Sequence, residues 1–192
     1  MVAWLAKRWV VAALFMACGF TALLPAIALS TPLFATLIFL HLPVYMFHQV
    51  EEHSGDRFRH FANAQMFHGL EVLRPVDVLV VNLPVVWGVN LFAFYAALLS
   101  APGAALVAPY LLIVNALLHA VTTVRLRCYN PGLVTALLLF LPLGVATLLV
   151  AFRVPGITIS DHLIGLAAAV AIHVAIMAQS GWRYRHASGA PK

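Results

Sequence analysis

The sequence predicts an all-α, polytopic membrane protein: a single bundle of about six transmembrane helices with one amphipathic inner-surface helix. Two observations carry this prediction. Hydrophobic residues make up 64% of the chain and charged residues 9%, which is far from the balance of a soluble domain. The apolar residues also fall into six long runs, without the strict two-residue alternation of a membrane barrel. Because a backbone in lipid must satisfy its own hydrogen bonds, these runs are expected to be helices.

Each apolar run is about as long as a helix that crosses the hydrocarbon core. The runs lie at residues 9–29, 33–50, 76–99, 104–124, 133–152 and 160–180. The first run, after Lys7 and Arg8, could also pass for a signal peptide, but it is long for that purpose, so a retained helix is expected. The longest polar segment, 51–75, contains several apolar residues, and its part 54–75 predicts the amphipathic surface helix. Residues 1–192 therefore form one domain.

The positions of the cations predict the orientation of the bundle. If the chain starts inside, ten of the eleven Lys and Arg residues, Lys192 among them, fall on the inner side, and only Arg153 falls on the outer side. The positive-inside rule makes that side cytoplasmic, so both termini are expected there. The excess of positive charge also favours contact with anionic membrane lipid. No basic stripe with interleaved aromatic residues occurs, so a nucleic-acid partner is not expected.

The stretch HQVEEH, which starts at His48, places two of only six acidic residues side by side after an apolar run. If the second helix continues through it, His48, Glu51 and Glu52 share one sector of the helix, whereas His53 points elsewhere. Adjacent carboxylates near a low dielectric repel each other unless a cation sits between them. The cluster is therefore a candidate metal or catalytic site. The alternative is a solvated polar cluster at a helix end.

A second polar patch is expected at a matching depth in the fourth helix. Asn115 and His119 form an i, i+4 pair on one helix face. A histidine in a membrane helix can also be a hydrogen-bonded packing residue, and this interpretation is favoured for His173. Two asparagines of the third helix, Asn82 and Asn90, are expected to make hydrogen bonds between helices.

The third feature is the turn Tyr129-Asn130-Pro131-Gly132, between the fourth and fifth helices. Asn suits the N-cap of a helix and Pro suits its first position, so Asn130 and Pro131 are expected to start the fifth helix. Tyr129 would then lie at the inner interface near His119. Its alternative role is that of an ordinary interfacial tyrosine.

Taken together, His48-x-x-Glu51-Glu52, the later His119 and the Tyr129-x-Pro131-Gly132 turn resemble the signature of the HXXEE domain family. These are small bacterial integral membrane proteins without an assigned molecular function. The resemblance implies a location in the bacterial inner membrane. It also implies that His119 and Tyr129 belong to the same site as the first motif. It supplies no reaction.

Ligand chemistry suggests a reaction. Two imidazoles and two carboxylates suit a divalent transition metal, with zinc favoured over iron or manganese, and are too rich in nitrogen for calcium or magnesium. Zinc held by His48, His119 and either Glu51 or Glu52 would keep a position open for water. The other glutamate could act as general base, and Tyr129 could stabilise the oxyanion. This scheme predicts metal-assisted hydrolysis of a lipid-like small molecule at the cytoplasmic face.

Three other functions use the same residues. A di-iron oxidase would need further ligands, for which His53, His60 and His68 are available, although the usual multi-histidine boxes are missing. A small transporter would use the buried Glu and His side chains for binding. In a structural or assembly protein they would be only a polar cluster.

A shared metal would bring His48 and His119 together, because the nitrogens of two histidines that bind one zinc ion must lie within roughly 3–4 Å of each other.

Overall fold

Six long apolar helices dominate the computed structural model, which describes residues 2–99 and 101–189. Each is long and apolar enough to cross a membrane. They are α1 (Val2–Ser30), α2 (Leu33–His53), α4 (Pro75–Leu98), α5 (Val107–Leu126), α6 (Leu133–Ala151) and α7 (Ile159–Ala187). A short helix, α3 (Arg57–Phe61), follows α2. No strand occurs among the described residues, so the predicted all-α class and the six candidate spans are confirmed.

Helix α2 lies at the centre of the bundle. Two-thirds of its apolar span is buried (67%), against 11% for the spans of α1 and α7. One face of α2 packs against α1, and its other faces contact α4, α5 and α6. Below the polar end of α2, a hydrophobic cluster joins Tyr45 to Leu112 of α5 and Phe140 of α6. The central position explains how the polar residues of α2 come to be buried inside the protein.

The surface segment differs from the predicted single helix over 54–75. Gly55 and Asp56 adopt positive φ angles of 65° and 62°, and this kink separates α3 from α2. Helix α3 continues into one wide turn over Ala62–Met66. Positive φ angles at His68 (52°) and Gly69 (85°) then end the helical structure, because side chains rarely adopt this region within a helix. The prediction is therefore right for 57–66 and wrong for the non-helical residues 67–74.

Two helices contain a wide, π-type turn near a proline. In α4 it covers Val81–Trp87 and includes Pro84, and in α6 it covers Ala136–Phe140, just before Pro142. A proline inside a helix lacks an N–H and clashes with the carbonyl four residues earlier, and a wider turn relieves both problems. These turns carry Asn82 and Phe140, two residues that reach the polar end of α2.

The spans are joined by short connections, except for the segment 54–74 between α2 and α4. They alternate in direction, and the turns fall at two ends of the bundle. One end, here called the basic end, holds the last turns of α2, α5 and α7, the segment 54–74, and the connection between α5 and α6. Arg57, Arg59, Arg74, Arg125 and Arg127 all lie in these parts of the chain. Lys192, counted above with the inner cations, lies outside the described residues.

We expect the basic end to face the cytoplasm, and labelling of single cysteines tests this. In a background with Cys18 and Cys128 replaced by Ala, cysteines at the exposed positions Gln65 and Ser188 should react only from the cytoplasmic side. A cysteine at Ser30, at the exposed end of α1, should react only from outside. Reversed labelling would overturn the orientation derived from the positive-inside rule.

Candidate metal centre

Three buried side chains from two helices meet near the basic end of the bundle. His48 and Glu52 lie one turn apart on α2, and His119 comes from α5. Their ligand atoms all lie within 4.8 Å of one another. Nε2 of His48 is 3.5 Å from Oε2 of Glu52, and Nε2 of His119 is 3.6 Å from Oε1 of the same carboxylate. These three side chains, here called the ligand group, could hold a metal ion, and they bring together two histidines that lie 71 residues apart in the chain.

Glu51 faces a different partner, the first turn of α6. Its carboxylate accepts hydrogen bonds from the backbone N–H groups of Val134 (3.1 Å) and Thr135 (2.7 Å) and from the hydroxyl groups of Thr135 and Tyr129. The first N–H groups of a helix have no partner within it, and the helix dipole favours a negative charge there. Glu51 therefore acts as a cap for α6 and ties that helix to α2.

The contact between Glu51 and Thr135 also determines which nitrogen of a neutral His48 imidazole carries the proton. A hydroxyl group has one hydrogen, and the Thr135 hydroxyl donates it to the Glu51 carboxylate, 2.5 Å away, in preference to the Gly132 carbonyl, 3.2 Å away. The Thr135 oxygen must then accept a hydrogen bond from Nδ1–H of His48, 2.9 Å away. A neutral imidazole carries one proton, so Nε2 of His48 is left with a lone pair. That lone pair faces Glu52.

Acceptor atoms of the ligand group therefore converge without a positively charged group of the described residues between them. Nε2 of His48 is buried and has no hydrogen-bond partner among the described residues, and the Glu52 side chain beside it is only 10% exposed. Opposed lone pairs in a buried site are unfavourable unless a proton or a cation lies between them. The donor set of two imidazole nitrogens and a carboxylate oxygen is one that binds zinc. The directions of the hydrogen bonds therefore support the metal interpretation independently of the distances.

Asn130 is the polar neighbour of His119. Its Oδ1 and the Nδ1 of His119 are both buried without a partner in the structure. A hydrogen bond between these two atoms would leave Nε2 of His119 free to bind a cation, which is the usual arrangement around a ligating histidine. The sequence predicted Asn130 as the N-cap of α6, and this prediction is wrong. The helix starts at Leu133 and its N-cap is Gly132, because the side chain of Asn130 is turned inwards and 98% buried.

Gly132 packs directly against both imidazoles. A Cβ atom added to it would lie 2.7 Å from Cε1 of His48 and 2.8 Å from Cε1 of His119, and its φ angle is +99°. Both the contact and the backbone conformation require glycine. Pro131 precedes it in the turn. The predicted motif thus supplies the wall of the site on which the two histidines rest.

The phenol of Tyr129 lies over Glu51, to which it donates a hydrogen bond. Its side chain is about half exposed. Burial, with a smaller contribution from the Glu51 carboxylate, raises the pKa of the Tyr129 phenol, so it stays protonated and remains a donor. Tyr129 and Glu51 therefore lie outside the ligand group. They are linked to its His48 through the hydroxyl group of Thr135.

His53 lies close to the centre, although helical spacing pointed it elsewhere. Helix α2 ends at this residue, where the backbone leaves the regular conformation (ψ −2°), and Nε2 of His53 comes within 3.0 Å of Oε2 of Glu52. On its other side, Nδ2 of Asn82 lies 3.2 Å from the same nitrogen. His53 therefore adjoins the carboxylate without belonging to the group of three.

A directed chain of buried hydrogen bonds leads to His53. Trp87 can only donate, and its N–H donates to Oε1 of Gln49 (2.9 Å). The amide of Gln49 then donates to Oδ1 of Asn82 (2.9 Å), which turns the Asn82 amide nitrogen towards His53. From the sequence, Asn82 is recognisable only as a residue that links helices, and Gln49 and Thr135 are not recognisable at all. Neither residue has a sequence signal, since each is recognised only by what it touches.

The remaining polar candidates lie elsewhere. His60 is exposed beside Asp56, and His68 packs near Tyr184. Asn115 lines the cavity described next, together with His173, whose Nδ1 donates to a backbone carbonyl of its own helix. None of these four side chains belongs to the ligand group found among the described residues.

A cavity of about 340 Å³ opens beside the ligand group. Glu52, His53 and His119 form part of its wall, whereas His48 lies behind them. Phe58 of α3 covers this region, with its ring centroid 5.9 Å from that of His53 and 6.2 Å from that of His119. The volume is within the range of small-molecule sites. A molecule in the cavity would therefore reach the carboxylate and one imidazole of the group.

Comparison with known proteins identifies the family. The family described as "Protein of unknown function with HXXEE motif" matches residues 39–147, more than half of the chain. The chain therefore belongs to the HXXEE family. No curated protein and no solved structure shows significant similarity to it. The matched region includes all three ligand residues and Thr135.

The Thr135 hydroxyl is expected to matter for metal binding. Thr135→Val removes the acceptor of His48 Nδ1–H but keeps the backbone N–H that binds Glu51. The zinc affinity of the purified protein should fall by about 10–100-fold, the usual effect of losing such a partner. Thr147→Val is the matched control, because Thr147 lies on the same helix, is fully buried and bonds only to Leu143. Competition with a chromophoric chelator measures both, and equal affinities would contradict the assigned role.

Gly132→Ala should disrupt the centre for two reasons, backbone strain and a steric clash. Gly156→Ala is the control that shows the effect of backbone strain alone. Both glycines have positive φ angles, but a Cβ on Gly156 meets no atom within 4 Å. In the control variant, backbone strain alone should lower the free energy of unfolding by about 1–2 kcal/mol. Gly132→Ala should lose more stability and also its bound zinc, since the new methyl group collides with both imidazoles. Thermal unfolding and metal content provide the readouts, and identical behaviour of the two variants would refute the contact.

Proposed function

We propose that this HXXEE protein is a metal-dependent hydrolase that acts on a lipid-like substrate within the membrane. The observation that carries the proposal is a buried His48–Glu52–His119 group on the wall of a cavity inside a bundle of candidate membrane spans. Zinc is the favoured ion, because two imidazoles and one carboxylate leave a fourth position open in its tetrahedral sphere. Iron or manganese would accept the same ligands.

A divalent cation in this group would supply Lewis acidity, which makes water a nucleophile near neutral pH and polarises a carbonyl group. The chain's own residues would do the rest. His48 and His119 are held with a nitrogen towards the group, and Glu52 offers a carboxylate on the cavity side. Hydrolysis adds one water across the broken bond: its hydroxyl joins the acyl carbon, and its proton passes to the leaving group. His53, which lines the cavity 3.0 Å from the Glu52 carboxylate, is the basic side chain placed to carry that proton.

In this proposal Glu51 and Tyr129 position the site. Glu51 accepts four hydrogen bonds, so its lone pairs are engaged and it is a poor general base. The phenol of Tyr129 points at Glu51 and away from the ligand group. The general-base and oxyanion roles suggested by the sequence would therefore pass to the groups that line the cavity.

The location follows from the same reasoning. We propose a multi-pass protein of the bacterial inner membrane with both termini in the cytoplasm and the candidate centre near the cytoplasmic face. Membrane lipid would surround the bundle and supply the lipid-like substrate. A di-iron oxidase would need a second set of ligands, and His60 and His68 lie apart from the group. A transporter or a structural protein would not require His48 and His119 to be oriented towards one point.

Ester hydrolysis in the presence and absence of metal tests the proposal. The purified protein should cleave p-nitrophenyl esters of medium-chain fatty acids, lose this activity after chelation, and regain it with zinc. Glu52→Gln should lower the rate by at least about 100-fold. Glu71→Gln is the control, because the Glu71 carboxylate is 68% exposed and forms an ion pair with Arg59, away from the ligand group. Full activity in the chelated protein or in Glu52→Gln would exclude the metal-dependent mechanism.

A further inference from the structure

The cavity beside the ligand group is elongated along the bundle. On α5 its wall extends from Leu111 to Thr122, and on α7 from Ile172 to Arg183. Each pair is eleven residues apart, which corresponds to roughly 16 Å along a helix. A volume of about 340 Å³, near the lower limit for ligand sites, is therefore spread over a long and narrow space. This shape suits one extended chain better than a compact ligand.

The two ends of the cavity differ in chemistry. The deep end is lined by Tyr45, Val86, Leu111 and Ile172, which pack into one hydrophobic cluster. The end near the basic side of the bundle is lined by Asp77 and Arg183, which form an ion pair. An amphiphilic molecule would therefore lie with its apolar part towards the middle of the bundle.

The polar end carries an excess of positive charge. The carboxylate of Asp77 accepts hydrogen bonds from Arg74, with Nε 3.2 Å from Oδ2, and from Arg183. Two guanidinium groups share one carboxylate, so one positive charge is not neutralised within this cluster. The Arg183 side chain lines the cavity and is 19% exposed. Arginine binds carboxylate and phosphate groups well, so the charge favours an anionic head group.

The ligand group lies between these two ends. Asn82 of α4 contacts His53, which contacts Glu52, so Asn82 marks their depth. Asp77 is five residues before Asn82 and Val86 four residues after it, roughly 7 Å and 6 Å along the helix. A bond presented to Glu52 and His119 would thus have a polar head on one side and an apolar chain on the other.

We propose that the cavity binds a single-chain anionic amphiphile, with its chain towards Leu111 and Ile172 and its head group at Arg183. The proposal rests on the proposed hydrolase only for the role of the ligand group, since binding does not require turnover. Ether-linked lysophosphatidic acid is a suitable probe, because it has one chain and an anionic head and contains no ester bond to an acyl chain. A diazirine near the end of the chain makes the probe photoreactive.

Photolabelling in nanodiscs of diacyl phosphatidylcholine tests the orientation. Mass spectrometry should find the label at Leu111, Val86 or Ile172. Ile172→Trp, which fills the deep end, should lower this labelling by about tenfold or more, as expected for blocking a narrow site. Val174→Trp is the matched control, because Val174 is 56% exposed on the outside of the same helix. Labelling confined to outward-facing residues, or equal labelling in both variants, would overturn the proposal.

A second comparison tests the head group and guards against misfolding. Arg183→Gln should reduce labelling by the anionic probe by about fivefold and leave labelling by an uncharged ether-linked monoalkylglycerol unchanged. If neither probe labels the cavity of the wild-type protein, the proposed amphiphile site is overturned. The Glu52→Gln variant should lose zinc but keep the label. Labelling of the wild-type protein together with absent esterase activity in the same zinc-loaded protein would reject the hydrolase and leave the binding site standing.

Discussion

The hydrogen bonds between Glu51 and the start of α6 are the contact on which the candidate centre depends. A carboxylate at a helix N-terminus satisfies N–H groups that the helix cannot. Here that carboxylate belongs to the central helix, so the cap also joins α2 to α6. It occupies the only hydrogen of the Thr135 hydroxyl, which forces Nδ1 of His48 to be the donor. One capping contact thereby sets both the packing of two helices and the direction of a lone pair.

The adjacent glutamates therefore do different things. Glu51 is surrounded by donors, whereas Glu52 faces nitrogen atoms of His48, His53 and His119. This difference explains why two like charges can be neighbours at the end of an apolar helix: the first is neutralised by a helix terminus, and the second is placed where a cation could bind. The family motif with two consecutive glutamates thus combines a structural residue with a candidate ligand.

The sequence predicted the helices and the residues of the centre well, because both depend on local signals. Apolar runs identify spans, and buried His and Glu are conspicuous in a chain with six acidic residues. It did not distinguish Glu51 from Glu52, since helical spacing puts both on one face. It misplaced His53 because α2 ends there, and it missed Thr135 and Gln49 because nothing in a sequence tells which hydroxyl or amide will meet a distant histidine. The prediction of a helix over 67–74 was wrong because His68 and Gly69 adopt positive φ angles.

The close packing of Gly132 on both imidazoles has a consequence for how the protein is made. The ligand group draws on the second and fourth spans, and its wall comes from the turn before the fifth. A chain that emerges from the ribosome therefore presents Glu51 and Glu52 long before their partners exist. The centre can be completed only after synthesis has passed Thr135. Until then the first half of the protein must keep two carboxylates without their partners, so any metal would be loaded late in biogenesis.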